Sequence, residues 1–209
     1  MPEECARQDP APEAESARGR LLTNAVGLFN RKGYAATTVR EIVEAAGVTK
    51  PVLYYYFGSK EGIFLELMQS GLARLERIIE EARSSGGSAF ARLVAVCDGT
   101  FSAFMENIPL VTLMNSIFHG PPQGAPHFDM QAFQTRMSNA VSQLLEEGIN
   151  AGEFKGNLED MTWVILGAIR IATDIELVHP EMSIGREGLR RLLRTVFHGL
   201  AASPGAEGQ

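Results

Sequence analysis

The spacing of apolar residues is the feature that most constrains the fold, because they recur every three to four positions along most of the chain. Leu22, Ala25, Val26 and Phe29 occupy positions i, i+3, i+4 and i+7, which share one face of a helix. Comparable periods continue to about residue 200, and no stretch alternates convincingly between apolar and polar residues as a half-buried strand would. The sequence therefore predicts an all-α fold of about nine helices.

Capping residues divide this pattern into separate helices. Thr38, Ser59 and Asn157 each precede an apolar-periodic segment, and their side chains commonly accept a hydrogen bond at a helix N-terminus. Ser183 is expected to cap the last helix in the same way. We expect that helix to run to about Leu200.

Charge is distributed unevenly along the 209 residues. The formal net charge is −6, but residues 1–17 carry −4, residues 18–60 carry +5 and the remainder carries −7. A basic segment suits contact with a polyanion such as nucleic acid, whereas the acidic remainder would repel one. The seven basic side chains of the segment could also be ordinary solvated helix faces, so charge alone does not decide.

A cytoplasmic protein is indicated by the N-terminal segment, the length of the apolar run 163–169 and the cysteines. Residues 1–17 are rich in Glu and Pro and are expected to form a disordered tail without a secretory signal. The apolar run 163–169 is far shorter than the roughly 20 residues that cross a bilayer. Cys5 and Cys97 form neither a disulfide framework nor a metal-spaced pair. No cofactor and no membrane association are predicted.

Signatures of catalysis and of metal binding are weak. The sequence has no nucleophile elbow, phosphate-binding loop, His-Glu-x-x-His pair or paired cysteines. His119, His127 and Asp129 cluster around the Pro- and Gly-rich segment 119–127, but their spacing matches no regular metal site, so a solvated loop is favoured. A helical enzyme is retained as an alternative function, to be tested by saturable activity.

Segment 38–57 has the organisation of a helix-turn-helix. A second helix over about 38–46 is followed by the turn 47–49 and by a short third helix from about Lys50 to Phe57. Pro51 falls in the first turn of that helix, where a proline removes no intrahelical hydrogen bond. Three short helices with a Gly-containing turn describe the motif, although an ordinary helical bundle has similar spacing.

The third helix displays more polar and aromatic groups than its packing requires. Val52 or Leu53, together with Phe57, is enough to anchor it. The consecutive residues Tyr54–Tyr56 cover roughly 200° of arc, so they cannot all be buried. Phenolic hydroxyls and ammonium groups on an exposed helix suit contact with phosphates and base edges. Tyr56 could equally be half-buried against the first helix.

Over residues 18–65 the chain resembles the TetR family of transcriptional repressors. The motifs that carry the resemblance stand in the family's order and spacing, and they are Ala46-Gly47-Val48, Leu53-Tyr54, Tyr56-Phe57 and Ser59-Lys60-Glu61. Beyond residue 65 the resemblance is one of length and helix count only. The resemblance to the TetR family implies an N-terminal three-helix DNA-binding domain followed by a helical ligand-binding and dimerisation domain.

The resemblance also implies which side chains contact DNA. Phosphate contacts fall on Thr38, Tyr54 and Lys60, and contacts within the groove fall on Thr49, Lys50 and Tyr55. Family members often have glycine where this chain has Pro51, so a backbone contact to phosphate at that position is in doubt. The ring of Pro51 could instead pack against a thymine methyl group.

The implied organisation is two domains and two tails. We expect a disordered tail over 1–17, the DNA-binding domain over 18–62, the ligand-binding and dimerisation domain over 63–202 and a second tail over 203–209. Such a protein would bind a palindromic operator as a homodimer, most often as a repressor released by a small, largely apolar effector. An activator or a co-repressed regulator of the same fold, and a nonspecific DNA-coating protein, are the alternatives.

Candidates for the effector pocket and for the dimer interface lie in the C-terminal helices. Met and Phe enrichment suggests an adaptable apolar pocket, although each residue could simply be core. The pocket candidates are Phe101, Phe104, Met105, Met114, Phe118, Met137, Trp163, Arg170 and Ile171. The resemblance places the dimer interface on the last two helices, where the candidates are Ile165, Gly167, Ala168, Ile169, Ala172, Leu189, Leu192, Leu193 and Val196.

Overall fold

The computed structural model describes residues 16–120 and 123–198, and these are almost entirely helical. The described residues form nine α-helices and one short 3₁₀ helix and contain no strand, so the all-α prediction is confirmed. The predicted tails over 1–17 and 203–209 lie outside these residues, except for Ser16 and Ala17 at the start of the first helix. The elements are α1 (Ala17–Lys32), α2 (Val39–Ala46), α3 (Lys50–Phe57), α4 (Lys60–Ser84), α5 (Ala89–Glu106), α6 (Ile108–His119), α7 (Met130–Asn150), α8 (Leu158–Val178), the 3₁₀ helix (Pro180–Met182) and α9 (Gly185–His198).

Contacts divide the described chain into two compact units. The first contains residues 16–67 and 123–126, and the second contains residues 68–120 and 127–198. Helix α4 contributes its first eight residues to the first unit and continues into the second. No helix of the described residues is long and apolar enough to cross a membrane.

The first unit is built around an aromatic cluster. The ring of Tyr34 lies 5.3 Å from that of Phe29 and 5.2 Å from that of Phe64, and all three residues are buried. Such edge-on and tilted pairs stabilise a core beyond their buried area. On α1 the fully buried leucine is Leu21, whereas Leu22, which periodicity placed on the inner face, is only half-buried.

Helix termini follow the predicted capping residues in most places. The hydroxyl of Thr38 accepts from the backbone N–H of Glu41, and the Glu41 carboxylate accepts from the backbone N–H of Thr38, which forms a capping box at α2. Gly47 ends α2 with φ of 62°, in the left-handed region where glycine is favoured. Ser59 and Asn157 accept from backbone N–H groups at the starts of α4 and α8.

The start of α9 differs from the prediction. The hydroxyl of Ser183 donates to the carboxylate of Glu176 instead of capping the helix. That carboxylate also accepts from the backbone N–H groups of Ile184 and Gly185, at 3.1 and 2.8 Å, so a residue of α8 caps α9. The predicted end at Leu200 lies outside the described residues.

The second unit has one continuous apolar core formed by α4, α5, α7, α8 and α9. A carboxylate on α5 ties this core to α9, because Asp98 accepts from the guanidinium groups of Arg186, at 3.1 Å, and Arg190, at 3.0 Å. These cations, Arg186 first, hold the pKa of Asp98 below its usual range, although burial acts in the opposite direction. The thiol of Cys97 is buried, and burial raises its pKa to about 12.

Candidate nucleic-acid interface and ligand cavity

Helix α3 is anchored by one side and exposed on the other. Leu53 is its fully buried anchor, while Val52 and Phe57 are half-buried. The guanidinium of Arg18 lies 5.6 Å from the centre of the Phe57 ring, which fastens the end of α3 to α1. A short helix held by so few contacts leaves most of its surface free to enter a groove of DNA.

The α3 side chains that we predict to contact the DNA groove or the phosphates lie together on the exposed surface of the helix. Tyr55 is the most exposed of its three tyrosines at 82%, followed by Tyr54 at 50% and Tyr56 at 43%. The Tyr56 ring packs edge-on against that of Tyr55, with centroids 5.1 Å apart. The structure thus leaves Tyr56 partly exposed and gives it a packing role within α3.

The N-terminus of α3 presents three further exposed candidates, Thr49, Lys50 and Pro51. Thr49 caps the helix without a side-chain hydrogen bond, so its hydroxyl is available to a ligand. Within residues 16–120 and 123–198, Lys50 has neither an ion-pair partner nor a hydrogen-bond acceptor. An unpaired ammonium and a free hydroxyl at a helix N-terminus suit an anionic or acceptor-rich partner.

The other two predicted phosphate contacts have internal partners. The hydroxyl and the backbone N–H of Thr38 are both bonded to Glu41, whose pKa is lowered to about 2 by Lys32 and by Thr38. The ammonium of Lys60 donates to the backbone carbonyls of Tyr34 and Thr37, both at 2.8 Å, and lies 4.1 Å from the Tyr34 ring centre. Lys60 therefore holds the α1–α2 loop and keeps one N–H for any phosphate.

Much of the basic charge over 18–60 is already compensated. Arg18 pairs with Glu66, Lys32 with Glu41, and Arg40 with Glu44. The Nε of Arg20 donates to the carbonyl of Ala46 at 3.0 Å. The net charge that the sequence assigns to this segment therefore overstates the free positive charge, because among its cations only Arg31 and Lys50 have no hydrogen-bond or ion-pair partner in the described residues.

The second unit contains a cavity of about 630 Å³ between α5, α6, α7 and α8, which is partly open to solvent. Its walls are mostly apolar, with amide and hydroxyl groups from Asn115, Gln134 and Thr173 among them. Six predicted wall residues line this cavity, and they are Phe104, Met114, Phe118, Met137, Trp163 and Arg170.

Three predicted wall residues lie elsewhere. Phe101 is only 1% exposed and belongs to the core, and Met105 packs against that core from outside. Ile171 is 52% exposed on α8 and does not line the cavity. Helical periodicity groups these residues with the wall residues because it cannot tell a packed face from a face that borders a void.

One corner of the cavity is polar. Arg170 bonds to both carboxylate oxygens of Asp174, at 3.0 and 2.8 Å, and its Nη1 lies 3.1 Å from Nε2 of His119. All three residues line the cavity. No three His, Cys, Asp or Glu side chains cluster closely enough to hold a metal ion in the described ranges, which include His119, His127 and Asp129.

Most of the predicted interface residues of α8 and α9 are buried within one chain. Leu192 and Val196 are the exceptions, at 38% and 37% exposed. Gly167 is exposed too, with no atom within 4 Å of where a Cβ would lie. The residues that the core of the same chain already covers are Ile165, Ala168, Ile169, Ala172, Leu189 and Leu193.

Comparisons with known proteins agree with this geometry. The family model for bacterial regulatory proteins of the tetR family matches residues 21–67, which include α2, α3 and most of α1. The transcriptional repressor KstR2 of Mycobacterium tuberculosis is 29% identical over 167 residues, covering 74% of this chain and 82% of that protein. The chain belongs to the TetR family.

Solved structures of transcriptional regulators share the fold beyond the DNA-binding unit. The TetR-family regulator PfmR of Thermus thermophilus matches with a TM-score of 0.70 and 26% identity, covering 88% of this chain and all of that one. FadR of Bacillus subtilis, solved with stearoyl-CoA, matches with a TM-score of 0.65 and 20% identity, covering 87% and 98%. The chain is thus a TetR-family DNA-binding transcriptional regulator, and the enzyme alternative is set aside.

Sequence analysis missed the residues that support the α1–α2 loop of this TetR-family unit. Thr37 is buried, and its hydroxyl donates to the carbonyl of Gly33 at 2.8 Å. The backbone N–H of Tyr34 donates to Gln123 at 3.4 Å, from a segment far away in the chain. An aromatic residue directly after a helix-ending glycine is the signal that could have identified Tyr34 as core.

Proposed function

We propose that this TetR-family regulator is a repressor that binds a palindromic operator as a homodimer and is released by a small, largely apolar effector. The observation that carries the proposal is the exposed surface of α3, where the Thr49 and Tyr55 hydroxyls and the Lys50 ammonium have no hydrogen-bond partner among the described residues. One such helix reads too few base pairs for useful specificity, so two half-sites are needed. Thr49, Lys50, Pro51 and Tyr55 enter the groove, while Tyr54 and the remaining N–H of Lys60 contact phosphates.

The dimer is proposed to form through an apolar stripe on α8 and α9. Val164, Ile171 and Val178 are spaced by seven residues on α8 and are 48%, 52% and 66% exposed. On α9, Leu192 and Val196 add exposed apolar area. A seven-residue repeat keeps side chains on one face of a helix, and a cluster of exposed apolar residues marks an interaction surface. This stripe replaces the buried residues that sequence analysis assigned to the interface.

The effector is proposed to occupy the 630 Å³ cavity with an apolar body and a polar end group. The apolar body fits the walls around Phe104, Met114 and Trp163. The polar end group is placed beside Arg170 and His119, whose side chains already converge. An acyl-CoA is one compound class to test, because the FadR structure of the same fold contains stearoyl-CoA.

Selection of random duplexes on the purified protein tests DNA recognition directly. We expect enrichment of an inverted repeat, bound by two chains, with the logarithm of the association constant falling steeply and linearly with the logarithm of the salt concentration. Fluorescence anisotropy titrations of the enriched duplex at several salt concentrations measure the number of chains bound and the salt dependence of the association constant. If folded protein enriches no duplex, or binds all duplexes equally, operator recognition is refuted.

A further inference from the structure

A second cavity of about 300 Å³ lies beside the first, between α4, α5 and α6. Its apolar walls include Leu75 and Ile78 of α4, Ala103 of α5 and Leu110 of α6. Arg74 and Glu106, both exposed, form an ion pair of 3.3 Å at its edge. The second cavity therefore has apolar walls and an ion pair at its edge.

The two cavities share a wall. Phe104, Phe133 and Met114 line both of them, together with Thr100 and Val111. The rings of Phe104 and Phe133 are stacked with centroids 6.1 Å apart and an angle of 27° between their planes. Both phenylalanines are only half-buried, and a methionine side chain is flexible and adapts to neighbouring shapes. The partition thus consists of side chains that can rotate without moving the backbone.

A missing side chain on α4 keeps the second cavity open. A Cβ at Gly71 would lie 3.4 Å from Sδ of Met114 and 3.7 Å from Cδ2 of Leu110, which are ordinary contact distances. Glycine in a helix interior is unfavourable relative to alanine, so its presence here has a local cost that packing does not require. Any larger side chain at residue 71 would project into the space that the second cavity occupies.

We infer that the second cavity is a subsite for the far end of a straight hydrocarbon chain whose head lies in the first cavity. The chain passes between Phe104, Phe133 and Met114 and ends against α4 at Gly71. This inference rests on the proposed function and deepens it. Helix α4 is the element that begins in the first unit, so only chains long enough to reach it change the affinity for DNA.

The test is a titration with straight-chain acyl compounds of increasing length, as free fatty acids and as acyl-CoA thioesters. Trp163 is the single tryptophan and lines the first cavity, so its fluorescence reports occupancy without DNA. For wild type, Kd should fall about fourfold with each added methylene, including those that enter the second cavity. Release of the enriched operator duplex, measured by anisotropy, should appear only with the longer chains.

Two glycine substitutions separate the cavities. Gly71→Leu should bind short chains as wild type does, stop gaining affinity at a certain length, and bind a chain three methylenes longer about 50-fold more weakly than wild type. Gly167→Leu, which intrudes on the first cavity only, should weaken binding of all chains alike. Ala103→Leu narrows the second cavity from the opposite wall and should repeat the Gly71→Leu profile, with thermal unfolding of each variant confirming the fold.

The outcomes distinguish this inference from the proposed function. If Gly71→Leu and Ala103→Leu gain affinity with length as wild type does, or if no acyl compound changes the Trp163 fluorescence, the subsite is refuted. Operator binding by wild type would still stand in either case. If wild type binds no duplex, the proposed function fails, while the length profile of Trp163 fluorescence still decides the subsite by itself.

Discussion

Two charged side chains of similar appearance in the sequence, Lys50 and Lys60, take different roles because of what surrounds them. The ammonium of Lys60 bonds to the carbonyls of Tyr34 and Thr37, and its partial burial lowers its pKa. Lys50 has no such partner among the described residues. The family motif places both lysines near DNA, but only the fold shows that Lys60 mainly positions the loop that precedes α2.

Substitution Lys60→Ala should lower the free energy of unfolding by about 1–3 kcal/mol, because two backbone carbonyls lose a charged donor. Urea unfolding measures this loss. Lys155→Ala, which removes an exposed lysine of the second unit, is the matched control and should leave stability unchanged. Unaltered stability of Lys60→Ala, combined with a smaller salt dependence of DNA binding, would instead identify Lys60 as chiefly a phosphate contact.

Asp98 makes stability depend on pH. Arg186 and Arg190 lower its pKa in the folded chain, so its stabilising effect is complete above the ordinary carboxyl pKa and is lost as pH falls through the lowered value. Asp98→Asn should reduce the free energy of unfolding by about 1–3 kcal/mol at pH 7. The difference from wild type should shrink as the pH falls below the ordinary carboxyl pKa, and a constant difference in chemical unfolding down to the lowest pH at which the protein stays folded would contradict this account.

At the scale of helices, the sequence predicts the ends of a helix where residues adjacent in the chain determine them. The bounds of α3 follow from Gly47 before it, Pro51 in its first turn and Gly58 after it, and the structure reproduces them. The start of α9 follows from Glu176, which lies on the preceding helix and caps it from a distance. No local pattern around Ser183 reveals that partner, which is why the predicted cap was wrong.

Periodicity also cannot sort the apolar residues of α8 between core and interface. Ile165 and Ile171 both follow the helical pattern, yet the first is fully buried and the second is 52% exposed. A helix with apolar residues on most of its circumference has more apolar surface than one neighbour can cover. Only the packing of α5, α7 and α9 shows which part of α8 is left uncovered.

Ile171→Glu should therefore convert the proposed dimer to a monomer and weaken operator binding, because a charge would be placed within the apolar stripe. Sedimentation velocity measures the oligomeric state. Ile108→Glu, at a residue of α6 that is 43% exposed, is the matched control and should leave the dimer intact. A dimeric Ile171→Glu variant that is normally folded would show that the interface lies elsewhere.

At the scale of the molecule, the two units were predictable to different degrees. The DNA-binding unit depends on a short motif whose spacing is visible in the sequence from Ala46 to Glu61. The cavity of the second unit is an absence of atoms between four helices, and its size depends on how Phe104, Phe133 and their neighbours pack. Sequence analysis therefore named several wall residues but could not predict the size or shape of this cavity or the presence of the second cavity.

The most direct test of operator recognition is the affinity of wild type and Lys50→Ala for the enriched operator and for every single-base-pair variant of it. We predict that Lys50→Ala loses about 1–3 kcal/mol of discrimination at one base pair in each half-site, at symmetric positions, and keeps it elsewhere. An equal loss of affinity for every duplex, with discrimination unchanged at all positions, would make Lys50 a phosphate contact. Unchanged affinity for every duplex would contradict recognition through the N-terminus of α3.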